Sequence, residues 1–104
     1  METASALEKL KRDDFVAQLN TIFYAVLQND ARVPLELTEV GPARPTPRLD
    51  NYALLFRGPA DFCLLQNIYH LEHETVGPLD LFLVPVKEKP DGFRYEAIIN
   101  RIIS

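Results

Sequence analysis

The sequence predicts a mainly β domain: about six antiparallel strands forming a small barrel or roll, with an amphipathic helix at its N-terminal end. Three observations predict it. From Thr21 onward the apolar residues recur at period two rather than at the helical period. The apolar runs are cut by single glycines, as in YALLFRGP, IYHLEHETVGPLDLFLVPV and DGFRYEAIIN. Most connections are too short for the crossovers of a dozen or more residues that parallel strands need. Six strands under one helix hide their edges best by curling into a closed or nearly closed sheet.

Residues 4–19, ASALEKLKRDDFVAQL, space Leu7, Leu10, Phe15 and Leu19 three to five apart, and Ser5 with Glu8 matches a capping box. Asp13 or Asp14 offers a second cap before DFVAQL, so the segment is one helix or two pieces, lying on the sheet or plugging a barrel end. TIFYAVLQ (21–28) is apolar on both faces, which predicts a strand covered on both sides. NDAR (29–32) is a turn, and VPLELTEV (33–40) alternates Leu35 and Leu37 with Glu36 and Thr38. GPARPTPRLD (41–50) holds three prolines and two arginines, a stiff exposed loop and the one place where the sheet could change direction. Strands follow at 51–57, 66–73, 79–86 and 93–103, with a turn at 58–62, a hairpin at 74–78 and a hairpin loop at 87–92. All four glycines (Gly41, Gly58, Gly77, Gly92) fall in connections, where positive φ is needed. Phe56, Leu81, Leu83 and Ile99 are the predicted core.

The 104 residues fit one domain with one core, spanning 1–104 with the β roll over 21–103. A hydrophobic fraction of 47% and a charged fraction of 25% suit a folded globular chain. No apolar run approaches the roughly 18 residues of a bilayer span, and the longest, Leu79 to Val86, contains Asp80. The charged start METASALEKLKRDD lacks the apolar core of a secretory signal. The single cysteine, Cys63, excludes an internal disulfide and fits a cytoplasmic chain or an intracellularly built particle. A net charge of −4 disfavours nucleic acid and anionic membrane as partners.

Charge is also unevenly spread. Arg44, Arg48 and Arg57 dominate residues 42–57, whereas Asp61, Glu72, Glu74 and Asp80 face no lysine or arginine over 61–80. That dipole suits head-to-tail self-association, or an acidic protein partner, with Arg44, Arg48, Arg57, Glu72, Glu74 and Asp80 as the candidate contacts. Loss of ordering entropy is small for a stiff arginine-bearing loop, which favours it as a docking element.

Catalytic and metal chemistry find little support in the sequence, and neither metal nor cofactor is expected. His70 and His73 are the only histidines, and three residues apart on a strand they point to opposite faces. His70 and Glu72 share a face, but zinc needs three or four ligands. Both imidazoles are expected to be surface or cross-strand packing groups. Cys63, among Phe62, Leu64 and Leu65, reads as an apolar, inert thiol. The two serines, Ser5 and Ser104, lie near the termini, and the isolated glycines form no phosphate loop. The leading expectation is therefore a non-enzymatic structural or protein-interaction module. The alternatives are a small-molecule or peptide-binding barrel with Tyr52, Tyr69 and His70 near its mouth, and a small hydrolase or isomerase using His70 and a carboxylate such as Glu72 or Asp80.

The order FRGP, then LLQNIYHLEHETVGPLDLFLVPV, then FRYEAIIN resembles a small bacterial family known only as a domain of unknown function. That family looks like (L/F)RGP, QGxYxLEHxxLGxxxLFLVPV and YEAxFN, and the likeness runs from about Asp14 to Asn100. Asn67 stands where the family tends to have glycine, and ETV before Gly77 looks like an insertion. The resemblance implies no catalytic residues. Its members occur beside phage-tail-collar-like genes, which implies an accessory role in a tail-like particle.

Overall fold

A computed structural model describes residues 10–42 and 49–102, and in it the period-two runs become six strands. They are β1 (Ile22–Val26), β2 (Arg32–Val40), β3 (Leu49–Arg57), β4 (Asn67–Glu72), β5 (Leu79–Lys89) and β6 (Gly92–Ile102), preceded by a helix α1 (Arg12–Val16). They close into a barrel in the order β1-β2-β3-β6-β5-β4, with β4 returning to β1. Every ladder is antiparallel, including the β2–β3 pair across the proline-rich loop. Two three-strand meanders make this order. The first ends at Arg57, the chain crosses the barrel end through residues 58–66, and the second returns so that β6 lands beside β3.

Alternation decides what is buried. Phe23 and Ala25 of β1, Leu35 and Leu37 of β2, Leu54 and Phe56 of β3, and Leu79, Leu81 and Leu83 of β5 all point inward. The register stacks them in rows. Ala25 opposes Leu71, which opposes Leu79, while Leu37 opposes Phe56, which opposes Tyr95. Across the interior the Phe23 and Phe56 rings meet edge-on at 5.5 Å between centroids, a favoured aromatic geometry. The predicted core residues Phe56, Leu81, Leu83 and Ile99 are all buried.

Both ends are plugged. At the end where β1 begins, α1 drops Phe15 into the core, 6.2 Å from the Tyr52 ring. The Arg12 guanidinium donates to the Gly41 carbonyl at 2.7 Å, tying the helix to the end of β2. At the other end the 58–66 crossover inserts Leu64, whose N–H donates to the buried Tyr95 hydroxyl at 2.8 Å. Burial pushes the Tyr95 phenol up to about 12, which keeps it neutral, and the hydroxyl serves as a hydrogen-bond post. Gly58 permits the close approach: a Cβ there would lie 2.9 Å from the Tyr95 ring.

The prolines within strands sit where a neighbour has run out. Pro34 faces Tyr24 of β1 but lies beyond the point where β2 pairs β3, and Pro85 lies beyond the last β4 pair, beside the Pro85/Lys87 bulge. A missing N–H costs least in such places.

The structure corrects several sequence-based expectations. Helix is confined, among the described residues, to Arg12–Val16, with turns to Asn20; the Ser5–Glu8 cap lies outside them. Its start is fixed by Asp14, whose carboxylate accepts the Lys11 N–H at 2.8 Å. β1 is covered on one face only, since Ile22 and Tyr24 are about two-fifths exposed; in a closed barrel one face of each strand looks outward. β3 starts at Leu49 rather than 51, because β6 extends far enough to pair it. The 87–92 loop is mostly ladder, the turn shrinking to Pro90 and Asp91, because the bulge twists β5 and β6 onward together. Of the four glycines, only Gly77 and Gly92 have positive φ. Asn20 and Asp30 take that conformation elsewhere, as their short polar side chains allow.

Candidate functional site

The outer surface of the barrel is built by the same alternation that fills its interior. On β4 the outward residues are Ile68, His70 and Glu72; on β5 they are Asp80 and Phe82; on β6 they include Glu96 and Ile98. Register joins these into rows. Val26 pairs with both Arg32 and His70, and His70 pairs with Asp80, which lays a polar row across four strands. The next row is apolar: Ile68 faces Phe82 across the β4–β5 ladder. Ile98 lies on β6 two residues past Glu96, whose pair with Val84 ends the β5–β6 ladder. Ile68 is 66% exposed, Phe82 49% and Ile98 52%, so the apolar row is open to solvent. Leu65 and Phe62, also exposed, stand in the crossover that leads into β4. Where β1 stops and β4 has not yet met it, the surface dips into a groove lined by Val26, Leu27, Asn29, Ile68, Tyr69 and His70.

The polar groups of this row and Glu72 beside it are matched to one another. Glu72 accepts from the Arg32 guanidinium at 2.6 Å, and that hydrogen bond holds its carboxyl below the usual range. Arg32 also lies over the Tyr24 ring, 4.9 Å from its centroid. His70 stands between two carboxylates, Nδ1 2.9 Å from Asp80 Oδ1 and Nε2 3.6 Å from Glu72 Oε2. Glu72 and Asp80 therefore do not face each other across the hairpin; His70 separates them.

The predicted contact residues fare unequally. Arg44 and Arg48 lie outside the described residues. Arg57 is engaged within its own chain, bonded to Glu36 and, at 3.4 Å, to Asp91. Glu72 and Asp80 are engaged as described, and Glu74 is exposed in the turn after β4. The groups proposed for a ligand mouth do not converge. Tyr52 is buried near the helix end, Tyr69 binds the Leu65 carbonyl through its hydroxyl at 2.5 Å beside the crossover, and His70 is on the outer face. Cys63 is partly buried, with Phe62 and Leu65 exposed on either side of it in the chain.

Of the two imidazoles, His70 is the surface group and His73 the one packed across the β1–β4 ladder. His73 lies just past β4, is buried, and its ring stacks 4.2 Å from that of Phe23. His70 and His73 do point to opposite sides of the sheet. Zinc titration is accordingly expected to show no tight stoichiometric binding; a micromolar site lost in His70→Ala would reverse that expectation.

LDLFLVPV carries apolar residues on both of its faces, so the run by itself does not set the exposed apolar row apart. Its signal was parity: Phe82 shares a face with Asp80, Ile68 with His70, and Ile98 with Glu96 and Asn100. Together the plugged interior and the patterned outer wall define a small closed antiparallel barrel whose distinguishing groups lie outside. The chain belongs to the family described as a domain of unknown function (DUF6916), whose model matches residues 10–99. No curated protein and no solved structure matches it. Among the described residues, no helix is long and apolar enough to cross a membrane.

Proposed function

We propose that this domain is a non-enzymatic protein-interaction module that self-associates through the outer face of β4, β5 and β6. Such a module suits an accessory of a phage-tail-like assembly, the setting its sequence resemblance implies. The observation that carries the reading is the exposure of Ile68 facing Phe82, with Ile98 also exposed on β6, on a barrel whose interior is already filled. Contiguous exposed apolar surface on a small soluble fold marks contact sites. Arg57 and Glu72 already have partners within the chain, which favours the apolar row over the charged ends as the main contact. The His70 ring has a carboxylate at each nitrogen, an arrangement that orients the imidazole rather than presenting it to a substrate.

Sedimentation velocity at low and high salt tests this. Association that persists in high salt and is lost in Phe82→Glu, with the melting temperature nearly unchanged, is the expected result. Contacts between charged ends would instead loosen as screening rises and would survive Phe82→Glu but not the double change Arg44→Glu with Arg48→Glu. A chain that stays monomeric at every concentration would remove self-association from the reading.

A further inference from the structure

We propose that His73 is a pH-sensitive latch that fastens the β4–β5 turn to the joint between α1 and β1, and that protonation of its ring releases the two. The latch is built from both ring nitrogens. Nδ1 receives the backbone N–H groups of Thr75 at 3.0 Å and Val76 at 3.2 Å, and the His73 carbonyl receives that of Gly77 at 2.9 Å. The whole turn is thus folded around this residue. A nitrogen that accepts two N–H groups has no hydrogen of its own, so the neutral ring carries its proton on Nε2. That proton is donated to Thr21 Oγ1 at 2.8 Å, and the Thr21 hydroxyl in turn donates to the Gln18 carbonyl at 2.7 Å. Thr21 and Asn20 are themselves laddered to Leu37 of β2. One imidazole therefore joins the end of β4, the start of β1 and, through them, the helix that plugs the barrel.

Every bond in this relay has a fixed direction, which is why a second ring proton is destructive. A hydrogen on Nδ1 would point at two N–H donors, and both would lose their acceptor. The Phe23 ring closes one side of the imidazole. The charged groups facing it are Glu72 and Glu74 from its own segment and Arg32 from β2, which with Tyr24 line a small surface pocket reaching His73. Protons from solvent therefore have a route to the ring. Burial lowers the His73 pKa, outweighing the opposing pull of the Glu74 charge. A histidine depressed in the folded state adds stability that is full above its unfolded value, about 6.5, and is lost as pH falls below it.

The chain has only two histidines, so the assignment can be isolated. Unfolding by urea is followed from neutral pH to about pH 5 in the wild-type chain, in His70→Gln and in His73→Asn. Asparagine keeps an acceptor near Nδ1 but does not titrate. The unfolding constant of the wild type and of His70→Gln is expected to rise by up to about tenfold per pH unit below about 6.5, and His73→Asn is expected to lack that increment. Superimposable pH profiles for wild type and His73→Asn would overturn the latch. If His73→Asn does not fold, imidazole nitrogen resonances of the wild type decide the matter. A bare Nδ1 at neutral pH, with loss of amide protection at Thr75 and Val76 on acidification, supports it; a proton on Nδ1 at neutral pH defeats it.

Discussion

Leu83→Ala is expected to destabilise the domain by about 2 to 5 kcal/mol. Leu83 is fully buried on β5, opposite Asn67 in the β4–β5 ladder, and interior side chains from five other strands surround the same core. Truncation leaves a cavity that a closed hydrogen-bonded wall cannot collapse to fill. A domain of this size has roughly 5 to 15 kcal/mol in all, so the loss would be a large share of its stability. The neighbouring change Phe82→Ala, on the exposed side of the same strand, should stay within about 0.5 to 1 kcal/mol. Denaturant titration of both variants tests the register, because a slip of one residue would exchange their effects. A loss below about 1 kcal/mol for Leu83→Ala would mean that β5 is placed wrongly.

Gly92→Ala is the second large effect. Gly92 opens β6 at a φ of 137°, a conformation that L side chains rarely adopt, and a Cβ there would lie 2.1 Å from the Gly58 carbonyl oxygen. Neither the backbone strain nor the clash can be relieved locally, because the Gly58 N–H is bonded to the Phe93 carbonyl at 2.9 Å. The expected loss is about 3 kcal/mol or more. Gly77→Ala supplies the contrast. Its φ of 80° is also left-handed, but nothing lies within 4 Å of the added Cβ, so only the conformational penalty of about 1 to 2 kcal/mol applies. Equal melting temperatures for the two variants would show that the β3–β6 approach is looser than the structure places it.

Strand parity and turn chemistry are written into the sequence. The alternation of VPLELTEV, the hairpin cluster ETVGP and the short connections determined six antiparallel strands, and with them Phe56, Leu81, Leu83 and Ile99 as core. Those are local properties: side-chain direction reverses at each residue, and a short link cannot carry a parallel crossover. The sequence alone did not decide which runs of unbroken apolar character would be covered on both sides. TIFYAVLQ and LDLFLVPV each have one face against the core and one against solvent, because closing a sheet on itself leaves a single interior for all strands to share. Tertiary structure also decided the partners of the charges. Arg57 and Asp91 lie 34 positions apart, and Arg32 and Glu72 40 apart, so only the ladder order brings them together. His73 shows the same division. Its place at the end of a strand was legible, but its burial depends on Thr21, 52 positions away, and on the Phe23 ring, both brought to it by the closure of β4 onto β1.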